Sequence, residues 1–269
     1  MAVIRSVVRS VKAVAYFAIY GLELAIKQPK TRRQRAEWLH RFCGAMMKAF
    51  DIKTTVQGSF PDSGVIICNH TGYLDIITIS ALKPVVFCAK AEMESWFFLG
   101  WMTKMCGTVF VDRGAGGSSE RATEGMQAAE AEGVPVAFFP EGTTSNGQQV
   151  LEFRTGLLAK SLEAEQPITP AYIRYTLDLD NGPGVSVEDD VCFWGDDANM
   201  LKHVFKFVGL QGAHVWVRIG SQPIRFSESN LDRRVAAEEA RDAVLELAPE
   251  GFDGSITEAE EDDLMLHQK

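Results

Sequence analysis

Residues 65–75, VIICNHTGYLD, place an imidazole and a carboxylate five positions apart, directly after an apolar run. The run at 65–68 is short, rich in β-branched side chains and preceded by a glycine, which is the pattern of a buried strand. His70 therefore follows the carboxyl end of a strand, where open α/β sheets bind their ligands. The stretch predicts an α/β fold with His70 in a loop at the edge of the sheet.

The spacing of His70 and Asp75 restricts how the two side chains can meet. Five positions on one helix would turn them about 140° apart around its axis. They can meet only if His70 lies in the loop and Asp75 in the first turn of the next helix, where the helix dipole favours a carboxylate. A histidine oriented by a carboxylate is a suitable general base near neutral pH. A chance pair in a turn is the alternative.

Strand and helix patterns alternate along the rest of the chain. The predicted strands are 52–57, 65–69, 84–89, 107–111, 134–139, 167–175, 187–194 and 213–219. The predicted helices after residue 51 are 75–82, 92–105, 118–131, 153–164, 198–208 and 230–247. This alternation predicts a single α/β domain with a mostly parallel central sheet flanked by helices.

The composition is that of a globular protein with one basic end. Of 269 residues, 46% are hydrophobic and 23% charged, which is enough for one large domain. Residues 1–53 hold eleven lysines and arginines against three acids, a net +8, so the remainder of this chain of net charge −9 carries −17. The overall charge argues against a nucleic-acid partner, whereas the basic end predicts an anionic membrane surface. Solvated basic helices are the alternative.

These patterns divide the chain into three predicted segments. Residues 1–51 contain two predicted helices, at 2–27 and 31–50, whose basic edges and aromatic-rich apolar face suit a two-helix membrane anchor that precedes the domain. Residues 52–250 form the predicted α/β domain. Residues 251–269 include six acids and are expected to be disordered.

The first helix is predicted to lie on the membrane. Its uncharged run at 13–22 would extend about 15 Å, against a hydrocarbon core of roughly 30 Å. A bilayer-spanning first helix stays an alternative, as does packing of the aromatic face on the domain. Five scattered cysteines without a Cys-x-x-Cys pair favour free thiols in a reducing compartment. A peripheral, monotopic protein at the cytoplasmic face of the (inner) membrane is therefore expected, with no metal and no cofactor.

Four blocks of sequence, in order between about residues 65 and 175, resemble the motifs of the glycerolipid acyltransferases, the lysophosphatidic acid acyltransferase-like family. The His-x4-Asp spacing at 70–75 is similar to the first motif. GTVFVDR at 107–113 resembles the second, in which an arginine closes a strand and binds phosphate. FPEGTTS at 139–145 looks like the third, built on Glu-Gly-Thr, and ITPAYI at 168–173 is similar to the fourth.

The resemblance implies roles for seven residues. His70 is the expected general base, and Asp75 is expected to orient it. The expected substrate-binding residues are Asn69, Arg113, Glu141, Gly142 and Thr143. For Asn69, orientation of the loop or capping of the turn is the alternative, and for Arg113 a salt bridge. Glu141 is expected to hold the acceptor headgroup or Arg113, and a plain turn acid is its alternative. An apolar stretch at 96–102 either lines the path of an acyl chain or belongs to the core.

The implied enzyme is an O-acyltransferase of phospholipid biosynthesis that moves a fatty acyl group from acyl-carrier protein or coenzyme A to the free hydroxyl of a lysophospholipid. No Gly-x-Ser-x-Gly elbow is present, so direct attack by the acceptor is the simpler mechanism. The favoured acceptor is 1-acyl-glycerol-3-phosphate. The third motif often continues with arginine, however, and this chain has Thr144, although Arg154 and Lys160 follow.

Other interpretations stay open. The departure at Thr144 permits another lyso-lipid acceptor, namely a lyso-aminolipid such as lyso-ornithine lipid, or a zwitterionic lysophospholipid. A lipid-binding protein without turnover is a rival from another class, but it would not need an oriented base. A hydrolase of thioesters or phosphoesters is a third, which the absence of a nucleophile elbow disfavours.

Overall fold

The structure, a computed structural model, describes residues 1–90, 107–111, 118–195, 199–227 and 232–249. Four sequence predictions lie wholly or largely outside these ranges. They are the helix at 92–105, the apolar stretch at 96–102, Arg113 and the acidic tail at 251–269.

Within the described ranges, seven strands form one sheet. They are β1 (Lys53–Gln57), β2 (Val65–Cys68), β3 (Val86–Lys90), β4 (Val109–Val111), β5 (Val136–Phe138), β6 (Ile168–Leu177) and β7 (Ala213–Ile219). The strand order is β1-β7-β6-β2-β5-β3-β4. The strands from β6 to β4 are parallel, whereas β7 is antiparallel to β6 and β1 is parallel to β7. The predicted mostly parallel sheet is confirmed.

Eight helices lie in the same ranges. They are α1 (Ala2–Lys27), α2 (Arg32–Phe50), α3 (Tyr73–Leu82), α4 (Ser118–Ala131), α5 (Thr155–Glu163), α6 (Val187–Asp190), α7 (Met200–Phe207) and α8 (Arg233–Leu245). The start of α2 shows how the sequence sets a boundary. The Thr31 side chain accepts a hydrogen bond from the Gln34 amide, and the Gln34 side chain accepts one from the Thr31 amide, which is a capping box.

The helices cover the sheet on two faces, because side chains alternate along each strand. Ile66 and Cys68 of β2 belong to an apolar core shared with α1, α2 and α3. Val65 and Ile67 belong to a second core shared with α4, α5 and α8. The two cores lie on opposite faces of β2, so the loop that follows Cys68 is supported from both faces of the sheet.

The predicted strand at 187–194 is wrong. Residues Val187–Asp190 form the short helix α6, which the Ser186 side chain caps by accepting a hydrogen bond from the Asp189 amide over 3.1 Å. All three acids of this segment lie in its first turn, where the helix dipole stabilises them. Local capping therefore outweighs the apolar character on which the strand prediction rested.

The two N-terminal helices differ in what they expose. In α2, Trp38, Phe42 and Phe50 are buried. From α1, Phe17 and Tyr20 lie edge-on against Phe42, with centroid distances of 4.9 and 5.6 Å. Trp38, Phe42 and Phe50 also belong to the apolar core that includes α3 and the sheet. The aromatic face of α2 thus packs on the domain, which is the alternative that the sequence left open. None of the helices in the described part of the chain combines the length and apolar character needed to cross a membrane.

On α1, the exposed large side chains are aliphatic instead. Val3, Ile4, Val11, Val14, Ile19, Leu22 and Ile26 are each more than half exposed. The basic residues Arg5 and Arg9 point toward protein, where their guanidinium groups donate to the backbone carbonyls of residues 208–210. An aliphatic outer face, rather than an aromatic one, is what α1 presents to its surroundings.

Candidate active site

His70 and Asp75 meet in the geometry that their spacing requires. β2 ends at Cys68, His70 lies in the connecting loop, and α3 begins at Tyr73, so Asp75 falls in the first turn of that helix. His70 Nδ1 is 2.8 Å from Asp75 Oδ2. The pair thus forms at the carboxyl end of a central parallel strand.

The Asp75 carboxylate accepts four hydrogen bonds. Besides His70, the backbone amides of Thr71 and Gly72 donate to Oδ2 over 2.6 and 3.0 Å, and the Thr71 hydroxyl donates to Oδ1 over 2.9 Å. The side chain of Asp75 is fully buried. The two backbone amides at this carboxylate can only donate, and an ionised carboxylate acts purely as an acceptor. His70 Nδ1 therefore carries the hydrogen, which leaves the lone pair on Nε2 as the basic site.

The imidazole plane of His70 is fixed by a second contact. Phe139 stacks on the ring with a centroid distance of 3.9 Å and an interplanar angle of 7°. The His70 side chain keeps 16% of its surface exposed, so it remains accessible at the edge of the sheet. Phe139 is not among the predicted site residues, although it begins the block FPEGTTS that carries the third motif.

Glu141 is buried and contacts the same loop. Its Oε1 accepts a hydrogen bond from the His70 amide over 2.7 Å, and its Oε2 accepts one from the Leu151 amide over 3.0 Å. Burial raises the pKa of Glu141 to about 8, and the nearby Asp75 adds to this, although both backbone hydrogen bonds lower it. The carboxyl group faces backbone, so its geometry suits support of the His70 loop better than the expected contact with a headgroup.

Asn69 links the loop to β6. Its side-chain amide donates to the Ile173 carbonyl over 2.9 Å, and its side-chain oxygen accepts from the Ile173 amide over 2.7 Å. This pair continues the β2–β6 ladder by one step beyond Cys68 and Ala171. Asn69 is buried, so its geometry favours orientation of the loop over direct substrate contact.

The third block lies against the same loop. Gly142 has a φ of 70°, a left-handed conformation that favours glycine, and its amide donates to the Phe139 carbonyl over 3.1 Å. The Ser145 amide donates to the His70 carbonyl over 2.9 Å. Thr143 and Thr144, between them in the sequence, are partly exposed.

Arg154 and Lys160 follow this block in the sequence, and they differ in whether they contact it. Arg154 Nε donates to the backbone carbonyl of Glu141 over 3.2 Å. Lys160 instead forms an ion pair with Glu163 on α5. Arg154 is therefore a candidate for positive charge near the site, and Lys160 is not.

Comparison with known proteins identifies the family. A family model described as acyltransferase matches residues 52–174. A lyso-ornithine lipid O-acyltransferase of Pseudomonas aeruginosa is 32% identical over 220 residues, which cover 80% of this chain and 78% of the relative. This chain belongs to the acyltransferase family. It is also similar to a relative with another name, the 1-acyl-sn-glycerol-3-phosphate acyltransferase of Neisseria meningitidis. The two are 34% identical over a stretch that covers 55% of this chain and 58% of the relative.

The fold has a match among solved structures. The crystal structure of the 1-acyl-sn-glycerophosphate acyltransferase PlsC from Thermotoga maritima superposes with a TM-score of 0.64, covering 91% of this acyltransferase and 95% of that chain, at 19% identity. At this identity the likeness establishes the fold alone. The family match and the relative named as an O-acyltransferase confirm both the resemblance seen in the four motifs and the expectation of an O-acyltransferase.

The raised pKa of Glu141 leads to a prediction about stability. A carboxyl whose pKa is about 8 when folded, and near 4.5 when unfolded, binds its proton more tightly in the folded state. The free energy of unfolding should therefore fall, relative to that of a Glu141→Gln variant, as the pH rises from about 4.5 to about 8. The change should be a few kcal/mol, since one unit of pKa corresponds to about 1.36 kcal/mol.

Urea denaturation of both proteins across this pH range measures the difference. If the gap between wild type and Glu141→Gln stays constant with pH, Glu141 has the same pKa in the folded and unfolded states, and the assignment of a raised pKa is wrong.

Proposed function

We propose that this acyltransferase moves a fatty acyl group from a thioester of acyl-carrier protein or coenzyme A to the free hydroxyl of a lyso-lipid. The observation that carries the proposal is the His70–Asp75 pair. A fully buried, acceptor-only carboxylate holds Nδ1–H and leaves Nε2 as a base at the edge of the sheet. An acceptor hydroxyl needs such a base to lose its proton.

The reaction follows from this arrangement. Nε2 of His70 removes the hydroxyl proton while the acceptor oxygen attacks the thioester carbonyl. The tetrahedral intermediate then expels the thiolate, which takes the proton back from the imidazolium. A C–O ester bond forms and the C–S bond breaks. Asp75 stabilises the imidazolium between the two steps, and general-base catalysis of this kind contributes about 10²–10⁴-fold.

We favour a lyso-ornithine lipid as the acceptor. The relative from Pseudomonas aeruginosa, and one from Brucella abortus that is 29% identical over 77% of this chain, are both named for that substrate. These alignments extend over most of the chain, and Thr144 lacks the charge that the third motif often offers to phosphate. An ornithine headgroup carries no phosphate, so the loss of that arginine is compatible with it.

The second candidate is the acceptor that the sequence favoured, 1-acyl-glycerol-3-phosphate. The relative from Neisseria meningitidis is named for it. Arg113 stays a predicted phosphate ligand, and the Arg154 guanidinium lies beside Glu141. A panel assay with the purified enzyme decides between them: each acceptor is offered with acyl-coenzyme A and with acyl-carrier protein, and O-acylated product is measured.

We expect ester formation on lyso-ornithine lipid at the higher kcat/KM. Turnover on neither acceptor with either donor would refute the proposed function. Release of free fatty acid without an acceptor would instead support the thioester hydrolase.

Thr144 supplies a specific prediction. Thr144→Arg adds a guanidinium to a partly exposed position of the loop that contacts His70. Because guanidinium groups bind phosphate in a bidentate fork, the ratio of kcat/KM values should shift toward 1-acyl-glycerol-3-phosphate, by about tenfold. Gln148→Arg, at an exposed position of the same loop, adds the same charge as a control. Equal shifts in both variants would mean that charge alone acts, and no shift would remove Thr144 as a determinant.

We further propose that the enzyme works at the cytoplasmic face of the membrane, with residues 1–51 as its anchor. The support is the exposed aliphatic face of α1, since such a helix face lies readily in the lipid interface. Binding to anionic vesicles should weaken with salt but not vanish, because salt screens charges and leaves aliphatic insertion intact. Vesicle sedimentation of the protein over a salt series measures this.

A further inference from the structure

Helix α7 exposes apolar side chains that the proposed reaction does not use. Its sequence, MLKHVFKF, places Leu201 and Phe205 four residues apart on one side, and they are 83% and 47% exposed. Lys202 is exposed beside them. His203 is partly buried and Phe207 is buried, on the inward side of the helix. The helix is amphipathic, with its apolar outer stripe open to solvent.

The carboxyl end of α7 adjoins α1. Arg5 Nε donates to the Gly209 carbonyl over 2.8 Å, and Arg9 Nη1 donates to the Leu210 carbonyl over 2.6 Å, both immediately after α7. A Cβ atom at Gly209 would come within 2.3 Å of Ser6 Oγ, so glycine permits the close contact there. The exposed faces of α1 and α7 therefore belong to neighbouring helices that are clamped together.

The inward side of α7 contacts the loop of the candidate active site. His203 Nδ1 and the Tyr73 hydroxyl are 3.1 Å apart. The Phe193 ring lies against both, with centroid distances of 5.2 Å to His203 and 5.7 Å to Tyr73. The Phe193 amide donates to the Thr71 carbonyl over 2.8 Å. Tyr73 opens α3 two residues before Asp75, so α7 is packed on the segment that holds the His70–Asp75 pair.

We propose that α7 is a second membrane-contact element, which inserts Leu201 and Phe205 into the lipid interface beside α1. The proposal rests on the proposed function, because a lipid acceptor must reach His70 from the bilayer. The occupant is the bilayer rather than a protein, since the outermost side chains are apolar and α7 is joined at its end to α1, whose exposed face is also aliphatic. Lys202 beside them fits anionic headgroups. Contact of α7 with lipid also brings the loop at His70 to the membrane surface.

A fluorescent label tests the insertion directly. Four of the native cysteines, Cys43, Cys68, Cys88 and Cys192, are buried. In a Cys106→Ser background, Leu201→Cys is labelled with an environment-sensitive nitrobenzoxadiazole dye. Val235→Cys, 42% exposed on α8 at the other face of the sheet, is the matched control. With vesicles of equal parts phosphatidylcholine and phosphatidylglycerol, the emission at position 201 should shift to the blue, and that at position 235 should not.

Charge substitution tests the contribution to binding. Leu201→Glu with Phe205→Glu should lower partition into the same vesicles by about tenfold or more. Val235→Glu should bind like wild type. Activity on a short-chain, water-soluble acceptor should be unchanged in both, because neither change touches the His70 loop. If circular dichroism shows that the double variant does not fold, Leu201→Glu alone replaces it, because position 201 is highly exposed.

Two results would overturn the proposal. One is a label at position 201 that does not respond to vesicles, together with unchanged partition of the charged variants. The other is that the charged variants bind vesicles like wild type but have a raised KM for acyl-carrier protein and an unchanged KM for acyl-coenzyme A. In that case α7 would be a docking surface for the carrier. If wild type acylates no lyso-lipid at all, the proposed function fails, yet the vesicle measurements still decide the role of α7.

Discussion

His70→Ala should lower kcat for acyl transfer by about 10²–10⁴-fold, the usual contribution of a general base. Alanine removes Nε2, the atom that would accept the hydroxyl proton. The fold should persist, because the His70 amide donates to Glu141 and the His70 carbonyl accepts from the Ser145 amide, and neither bond involves the His70 side chain. Steady-state kinetics on the lyso-lipid acceptor and thermal unfolding of both proteins measure the two effects.

The chain contains a matched control for this variant. His214 also pairs with a carboxylate, since its Nδ1 is 3.0 Å from Asp178 Oδ2, but it lies on β7, outside the loop of the candidate site. His214→Ala removes an equivalent side chain and should leave transfer close to the wild-type rate. If His70→Ala retains activity within about tenfold of wild type, the general-base assignment is wrong.

Asp75→Asn should cause the second largest loss, about 10²-fold or more in kcat, though less than the loss from His70→Ala. The asparagine side chain has one acceptor oxygen where four donors converge on two. An NH₂ group in place of Oδ2 faces the backbone amides of Thr71 and Gly72 and reverses the hydrogen bond with His70 Nδ1, so the tautomer of His70 changes. In place of Oδ1 it meets the Thr71 hydroxyl, which can accept. In both orientations the imidazolium loses its counter-charge.

A double variant separates the two roles. If Asp75 acts through His70, adding Asp75→Asn to His70→Ala should cost little further activity, because the shared function is already lost. Asp178→Asn, the corresponding change in the pair at His214, is the control for the loss of a carboxylate. Additive losses in the double variant would show that Asp75 contributes independently of His70.

The N-terminal helices illustrate where sequence patterns are ambiguous. Trp38 and Phe42 form part of an apolar helical face, and such a face fits a lipid surface and a protein core equally well. The structure assigns it to the core, where Phe42 meets rings from α1. What α1 exposes is the aliphatic series that begins at Val3. The hydrophobic pattern predicts that a face is buried, but not which partner buries it.

Several features were determined by the sequence alone because they depend on neighbours along the chain. The strand at 65–68 follows from a short β-branched run, and the meeting of His70 with Asp75 follows from the geometry of a loop that enters a helix. The four motifs in order were sufficient to indicate the family. The strand and the His70–Asp75 pair each involve residues within a few positions of one another, so local conformation settles them.

Only the tertiary structure decided what surrounds the His70 loop. Glu141 is 71 residues from the His70 amide that it binds, and Asn69 is 104 residues from Ile173. These contacts exist because the sheet places β6 and β5 on either side of β2, an order that no local pattern encodes. The stacking of Phe139 on His70 and the contact of α7 with Tyr73 arise in the same way. Long-range pairing of strands therefore turned a predicted histidine and aspartate into a supported, oriented base.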